Sequence, residues 1–217
     1  MKFDEVTRAF HDRYYESGVW RSTFWHSTPV LKCPFDLWIY QEIVASVRPA
    51  LIVECGTWAG GSALFLAHML DIAGGGRIIT IDLLETEEVR EHYARYLPEL
   101  ASHLYIRPEH PRIKQLIGSS TDPQIVANVT EAVPAGGAVM VIADSDHSLE
   151  HALAELDAYH ALVTPGSYFV MEDTNIPQAG PRQAVDRFLA DHPEFAIDVT
   201  REKFLLTFNP GGYLKRN

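Results

Sequence analysis

Five times between residues 50 and 191, a short apolar run is followed by a stretch with the spacing of an amphipathic helix. The pairs are ALIVEC then 62–71, RIITID then 85–96, RIKQLIG then 122–132, AVMVIAD then 148–162, and SYFVMED then 181–191. That alternation leaves few options for the fold. Apolar runs this short, bounded by Gly and Pro, read as strands, and the helical stretches between them are long enough to return each strand parallel to the last. The expected architecture is α/β: a mostly parallel sheet with helices packed on it. The tail differs, because FAIDVT and FLLTFN are separated only by REK, a link that permits only an antiparallel hairpin. Residues 1–47 read as a broken helical extension carrying ten aromatics, from Phe3 to Tyr40. No repeat, low-complexity stretch or Pro/Gly/Ser linker divides the chain, so 1–217 is expected to be one domain with its core over 48–217.

Composition removes several classes of function. A net charge of −11, with no basic run, argues against nucleic acid and anionic membrane surfaces as partners. No apolar run approaches the roughly 20 residues of a membrane helix. The N-terminal MKFDEVTRAFHDRYYESG has no secretory apolar core, and Cys33 and Cys55 make no disulfide framework. A reduced, cytoplasmic protein is expected.

In open parallel sheets, ligands bind beyond the carboxyl ends of the strands. Here those ends carry Glu54, Asp82, Gly118-Ser119-Ser120, Asp144 and Glu172-Asp173. VECGTWAGGS is strand, glycine turn and helix. Gly56 admits a positive φ and a close ligand, Gly60 and Gly61 keep the turn thin, and Ser62 is read as the N-cap of the next helix. The spacing is not the G-x-G-x-x-G of dinucleotide binders, which favours a nucleoside with a charged tail. Glu54 can accept from an ammonium, and Asp82 can accept from two ribose hydroxyls.

Asp144 and Glu172-Asp173 end neighbouring runs, and adjacent strands lie about 4.8 Å apart. Residues 172 and 173 converge on one side only if the chain leaves the ladder there, as the irregular TNIPQAGP allows. Three anions in a poorly solvated cleft need a positive charge between them, and no Lys or Arg adjoins them in sequence. A hard divalent cation, Mg²⁺ by default, is expected on Asp144, Glu172 and Asp173. His147, in the turn before a helix opened by Ser148, is placed to act as general base. Asp146 either orients His147 or faces solvent. His151 and His160 read as rim residues.

The segments ECGTWAGGS, ITID, DSDH and MEDTN together resemble the cephalosporin hydroxylase/rhamnosyl O-methyltransferase family, and the resemblance extends from CPFDLWIYQEIV through MEDTNIPQAG. It implies a Rossmann-like class I methyltransferase fold, S-adenosylmethionine (SAM) as methyl donor and Mg²⁺ as the positioning ion. Carried over position by position, Glu54, Gly56, Gly60, Ser62, Asp82 and Ser119 contact SAM. Asp144, Glu172 and Asp173 match the metal ligands, and His147 the base. The expected partner is a small hydroxylated acceptor: a sugar, a phenol or a polyketide-like scaffold. The N-terminal aromatics pack the outer helices or a homo-oligomer interface, while Trp20, Phe24 or Trp25 are candidates to roof the acceptor pocket, with NIPQAGPRQ as the other wall. Two further readings are a nicotinamide-dependent oxidoreductase, which the missing G-x-G-x-x-G disfavours, and a non-catalytic SAM-binding subunit, which the intact histidine and carboxylates disfavour.

Overall fold

A computed structural model describes residues 5–83, 91, 94–95, 98, 107–176 and 180–217. In chain order its elements are α1 (Glu5–Ser17), β1 (Phe24–Trp25), β2 (Thr28–Pro29), α2 (Pro34–Val47), β3 (Leu51–Cys55), α3 (Gly61–Ala73), β4 (Arg77–Asp82), β5 (Ile113–Ile117), α4 (Pro123–Glu131), β6 (Val139–Ala143), α5 (Leu149–Tyr159), β7 (Tyr168–Met171), α6 (Gly180–Asp191), β8 (Phe195–Ile197) and β9 (Tyr213–Arg216). The helix expected over 85–96 lies largely outside the described residues.

Seven strands form one sheet in the order β5-β4-β3-β6-β7-β9-β8. The pairs β3–β4, β4–β5, β3–β6 and β6–β7 are parallel, whereas β9 runs antiparallel to both β7 and β8. Side chains alternate between two apolar layers, as strands buried on both faces require. Leu51, Val53 and Cys55 pack with Val129 of α4, Leu156 of α5 and Phe188 of α6. Ile52, Ile78, Met140 and Ile142 face Ile43 of α2 and Leu66 and Leu70 of α3 on the other side. From β3 the sheet grows outward through β4 and β5, then restarts on the opposite side with β6. The carboxyl ends of β3 and β6 therefore flank the switch point where such sheets bind ligands.

The antiparallel end of the sheet is as expected in kind but not in position. The partner of β8 is β9, with Phe195 opposite Arg216 and Ile197 opposite Leu214, and FLLTFN at 204–209 is not a strand. Its alternating apolar residues serve another purpose: Leu206 and Phe208 pack with Cys33, Tyr14, Tyr15 and Trp20. Its polar groups are taken by the buried Asp36 of α2. That carboxylate accepts from Thr207 Oγ1 at 2.5 Å, from the Phe208 N–H at 2.9 Å and from the Tyr213 hydroxyl at 2.8 Å. Segment 204–209 thus clamps the N-terminal extension to the sheet. Ser62 also departs from expectation. Gly60, at φ 81°, is the N-cap of α3, and Ser62 is buried inside the helix. Ser148 caps α5 as read, accepting from the His151 N–H.

Candidate active site at the switch point

Beyond β3, the turn runs into a cavity of about 390 Å³ walled by Gly56, Trp58, Asp82, Ser119 and Asp144, among others. Gly56 has φ +94°, and a Cβ there would stand 1.8 Å from the Asp144 carbonyl oxygen. The position is glycine because the end of β6 leans on it. Gly60 serves the turn instead: a Cβ there would meet Pro108 Cδ at 2.8 Å, and Gly60 lines neither of the two cavities described here. At the end of β4, Asp82 Oδ2 accepts the Trp58 N–H at 2.5 Å, which fixes the carboxylate against the turn. Glu54 is buried. Its Oε2 accepts from Thr80 Oγ1 at 2.6 Å, while its Oε1 is buried without a hydrogen-bond partner. Burial pushes the Glu54 carboxyl up to about 7, against the pull of Ser62 and Thr80.

The three carboxylates converge. The Glu172 N–H still bonds the Ala143 carbonyl across the β6–β7 ladder, but Asp173 takes φ 53° and gives its N–H to Asn209 Oδ1 at 3.0 Å. That departure brings Asp173 to the same side as Asp144. His147 Nε2 lies 3.5 Å from Asp144 Oδ1 and 3.6 Å from Asp173 Oδ2. Both separations are too long for hydrogen bonds, and this buried nitrogen has no other partner. One donor atom from each of Asp144, His147 and Asp173 lies within 4.8 Å of the others. Two carboxylate oxygens and an imidazole spaced in this way fit a divalent cation. Among the described residues one other such group occurs, His160, His192 and Glu194, at the opposite end of the helices.

One premise of the sequence argument is corrected by the fold. A positive charge does sit among the carboxylates, delivered from far away in sequence. Lys32 Nζ is 2.6 Å from Asp144 Oδ2 and 2.6 Å from Glu172 Oε1. Glu172 Oε1 accepts from the Tyr40 hydroxyl as well, so this carboxylate is engaged away from His147. Burial works against the Lys32 ammonium, but Asp144 and Glu172 hold its pKa above the usual value. The two partners respond in opposite directions. Against its own burial, Asp144 is held well below the carboxylate range by Lys32 and His147, whereas burial outweighs pairing at Glu172 and moves it up. Asp173 is pushed up to about 6, by burial first and then by the Asp144 charge. His147 rises to about 9, because the surrounding carboxylates outweigh its burial.

A second cavity, of about 360 Å³, opens on the other side of the glycine turn. Tyr15, Trp20, Val30, Leu31 and Ile176 form its apolar part, and His147 and Asp173 its polar end. It shares Gly56, Trp58, Asp144 and Ser145 with the first cavity, so the two chambers meet at the end of β6. Of the aromatic candidates, Trp20 is on this wall. Phe24 is exposed, and Trp25 packs edge-on against Phe65 and donates to His68 Nδ1. Ile176 belongs to the expected second wall, while residues 177–179 lie outside the described residues.

Residues 17–217 match the family model described as Rhamnosyl O-methyltransferase/CmcI. The chain belongs to this family. It is 33% identical over 229 residues to the rhamnosyl O-methyltransferase of Mycobacterium leprae (strain TN), covering 98% of this chain and 91% of that protein. Among solved structures it is similar to CmcI in its apo form, with a TM-score of 0.66 at 20% identity over 90% of this chain and 76% of the other. It is also similar to CmcI with Mg and SAM, with a TM-score of 0.62 at 19% identity over 91% and 77%. At those identities the structural likeness speaks for the fold, which is the Rossmann-like class I methyltransferase fold.

Within this member of the Rhamnosyl O-methyltransferase/CmcI family, Gly56 and Asp144 line both chambers, Asp82 and Ser119 the first, and Ser62, His147 and Asp173 the second, whereas Glu54, Gly60 and Glu172 line neither. Asp146 does not orient His147; its Oδ1 accepts the Ser148 N–H at 2.7 Å instead. His151 bonds Ser120 Oγ at 3.0 Å at the edge of the first cavity. Sequence reading missed Lys32, Tyr40 and Asp36. Lys32 did leave a signal, as a solitary cation between PVL and CPF in a chain with five lysines.

Proposed function

We propose that the chain transfers the methyl group of SAM to a hydroxyl of a sugar-bearing or other small natural-product acceptor, with a divalent cation, Mg²⁺ by default, assisting. The observation that carries this reading is the meeting of the two chambers at Asp144 and Ser145, with His147 and Asp173 at the inner end of the apolar one.

In the first chamber Asp82 and the Gly56 turn hold the nucleoside. The unpartnered Glu54 Oε1 beneath the turn is the acceptor for a charged amino group, bound directly or through water. The cofactor supplies a methyl already activated on a sulfonium, so the protein's main task is alignment, worth about 7–11 kcal/mol. Tyr15, Trp20 and Leu31 give the acceptor an apolar face and exclude water. His147 takes the hydroxyl proton, a contribution of about 10²–10⁴-fold. It can do so only as a neutral imidazole, and the charges of Asp144 and Asp173 hold it protonated up to about pH 9. Those charges must therefore be balanced during turnover. Asp144 and Asp173 are the residues that would hold the cation, which would lower the pKa of an acceptor hydroxyl.

The test is methyl transfer from labelled SAM to a panel of rhamnosides, other glycosides and phenols, with EDTA and with added Mg²⁺. Turnover that EDTA stops and Mg²⁺ restores is expected. Binding of NAD in place of S-adenosylhomocysteine would overturn the cofactor assignment, and indifference to EDTA would overturn the metal.

A further inference from the structure

His160, His192 and Glu194 take no part in the mechanism above. His147 precedes α5 and its carbonyl accepts from Gly180, the first residue of α6, so the candidate active site lies at the N-terminal ends of both helices. The second group lies at their C-terminal ends. His160 opens the 3-10 turn His160–Leu162 that closes α5, His192 follows the last residue of α6, and Glu194 leads into β8. The imidazoles are held in place. His160 Nδ1 is 2.8 Å from the Leu156 carbonyl oxygen. A carbonyl only accepts, so Nδ1 carries the proton and Nε2 keeps a lone pair. The His192 ring stacks on Phe188 with centroids 4.1 Å apart, and its centroid is 4.5 Å from that of His160. The nearby Arg216 guanidinium is committed elsewhere, to the Ala161 and Val163 carbonyls.

We propose that His160, His192 and Glu194 form a second metal site, for Zn²⁺ or a like transition-metal ion, separate from the site at the ends of β6 and β7. One donor atom from each of the three lies within 4.8 Å of the others. Two imidazoles and one carboxylate suit Zn²⁺, whereas Mg²⁺ prefers oxygen donors throughout. Ligands about 2.0–2.1 Å from a tetrahedral ion stand about 3.3 Å from one another. His192 Nδ1 and Glu194 Oε1, 3.0 Å apart, are already near that spacing. The Leu156 carbonyl supplies the outer partner that fixes the tautomer of a ligating histidine. All three residues are half-buried, so water can take the fourth position. An ion there ties the end of α5 to the link between α6 and β8, on the face of the molecule away from the two chambers. Its effect is on stability.

The experiment is calorimetric titration of Zn²⁺ into the metal-stripped full chain, as wild type, His192→Ala, Glu194→Gln and Asp173→Asn, with melting temperatures measured alongside. Removing a ligand should cost at least what removing an outer partner costs, so the tightest Zn²⁺ equivalent unaffected by Asp173→Asn is expected to weaken about tenfold or more in His192→Ala and in Glu194→Gln. Zn²⁺ should raise the melting temperature of wild type and of Asp173→Asn, and should raise that of His192→Ala less. Co²⁺ bound in place of Zn²⁺ should show visible absorption that His192→Ala abolishes and Asp173→Asn retains. Zn²⁺ binding that is the same in His192→Ala and Glu194→Gln as in wild type would overturn the proposal. Binding lost only in Asp173→Asn would overturn it too, as would weak binding spread over several histidines that no single variant removes. If His192→Ala does not fold, Glu194→Gln decides alone, because it keeps the shape of the side chain and changes only its charge. None of these measurements uses SAM, so their outcome is independent of the methyltransferase reading.

Discussion

His147 and Glu54 are both displaced upward in pKa by their surroundings, for different reasons and with different consequences. At His147 the carboxylates dominate and the imidazole lines the second cavity. Replacing it with alanine should lower kcat by about 10²–10⁴-fold while leaving S-adenosylhomocysteine affinity unchanged, as calorimetry would show. Turnover within a factor of two of wild type would remove it from the reaction. At Glu54 burial dominates and the carboxyl titrates at about 7. Its folded pKa lies above the unfolded value, so the stability this group contributes is present at low pH and is lost as pH rises through 7. A cofactor ammonium prefers the ionised carboxylate, so affinity for S-adenosylhomocysteine should run the opposite way, rising between pH 6 and 8. Glu54→Gln should flatten that slope, and an unchanged slope would exclude Glu54 as its source.

At the scale of elements, α2 and segment 204–209 depend on one another. Asp36→Ala would leave the Phe208 N–H and the Thr207 and Tyr213 hydroxyls without their buried acceptor. At about 1–3 kcal/mol for each buried polar group left unsatisfied, the variant should lose about 3 kcal/mol or more in urea denaturation. A loss below 1 kcal/mol would mean that water replaces the carboxylate. The same contact explains what the sequence did and did not reveal. The parallel strands were legible because each lies inside its own apolar run, and helices such as α5 because Ser148 and the apolar spacing mark them. FLLTFN has the period of a strand as well, but a buried aspartate some 170 residues earlier claims its polar groups. Local periodicity carries no trace of such a partner. Lys32 escaped for the same reason: its ion pairs span 112 and 140 residues. The candidate residues that proved to line the cavities, Gly56, Asp82, Asp144 and Asp173, were legible because they sit where regular structure stops.

For the molecule as a whole, the placement of chemistry follows from the order in which the strands were laid down. The central strands β3 and β6 are buried on both faces and end beside each other. One of them supplies the glycine turn between the two cavities, and the other supplies Asp144. Gly56, pressed against the Asp144 carbonyl, makes the two a single piece of backbone. That partition is one continuous contact between the two cavities. If a nucleoside ligand steadies the partition, it must make the ion bind more firmly, and thermodynamic linkage requires the ion to return the favour by the same factor, about 5–150-fold for couplings of ordinary size. Calorimetric titrations of Mn²⁺ with and without S-adenosylhomocysteine, and the reverse pair, should close on one number; two independent affinities would show that the shared backbone transmits nothing.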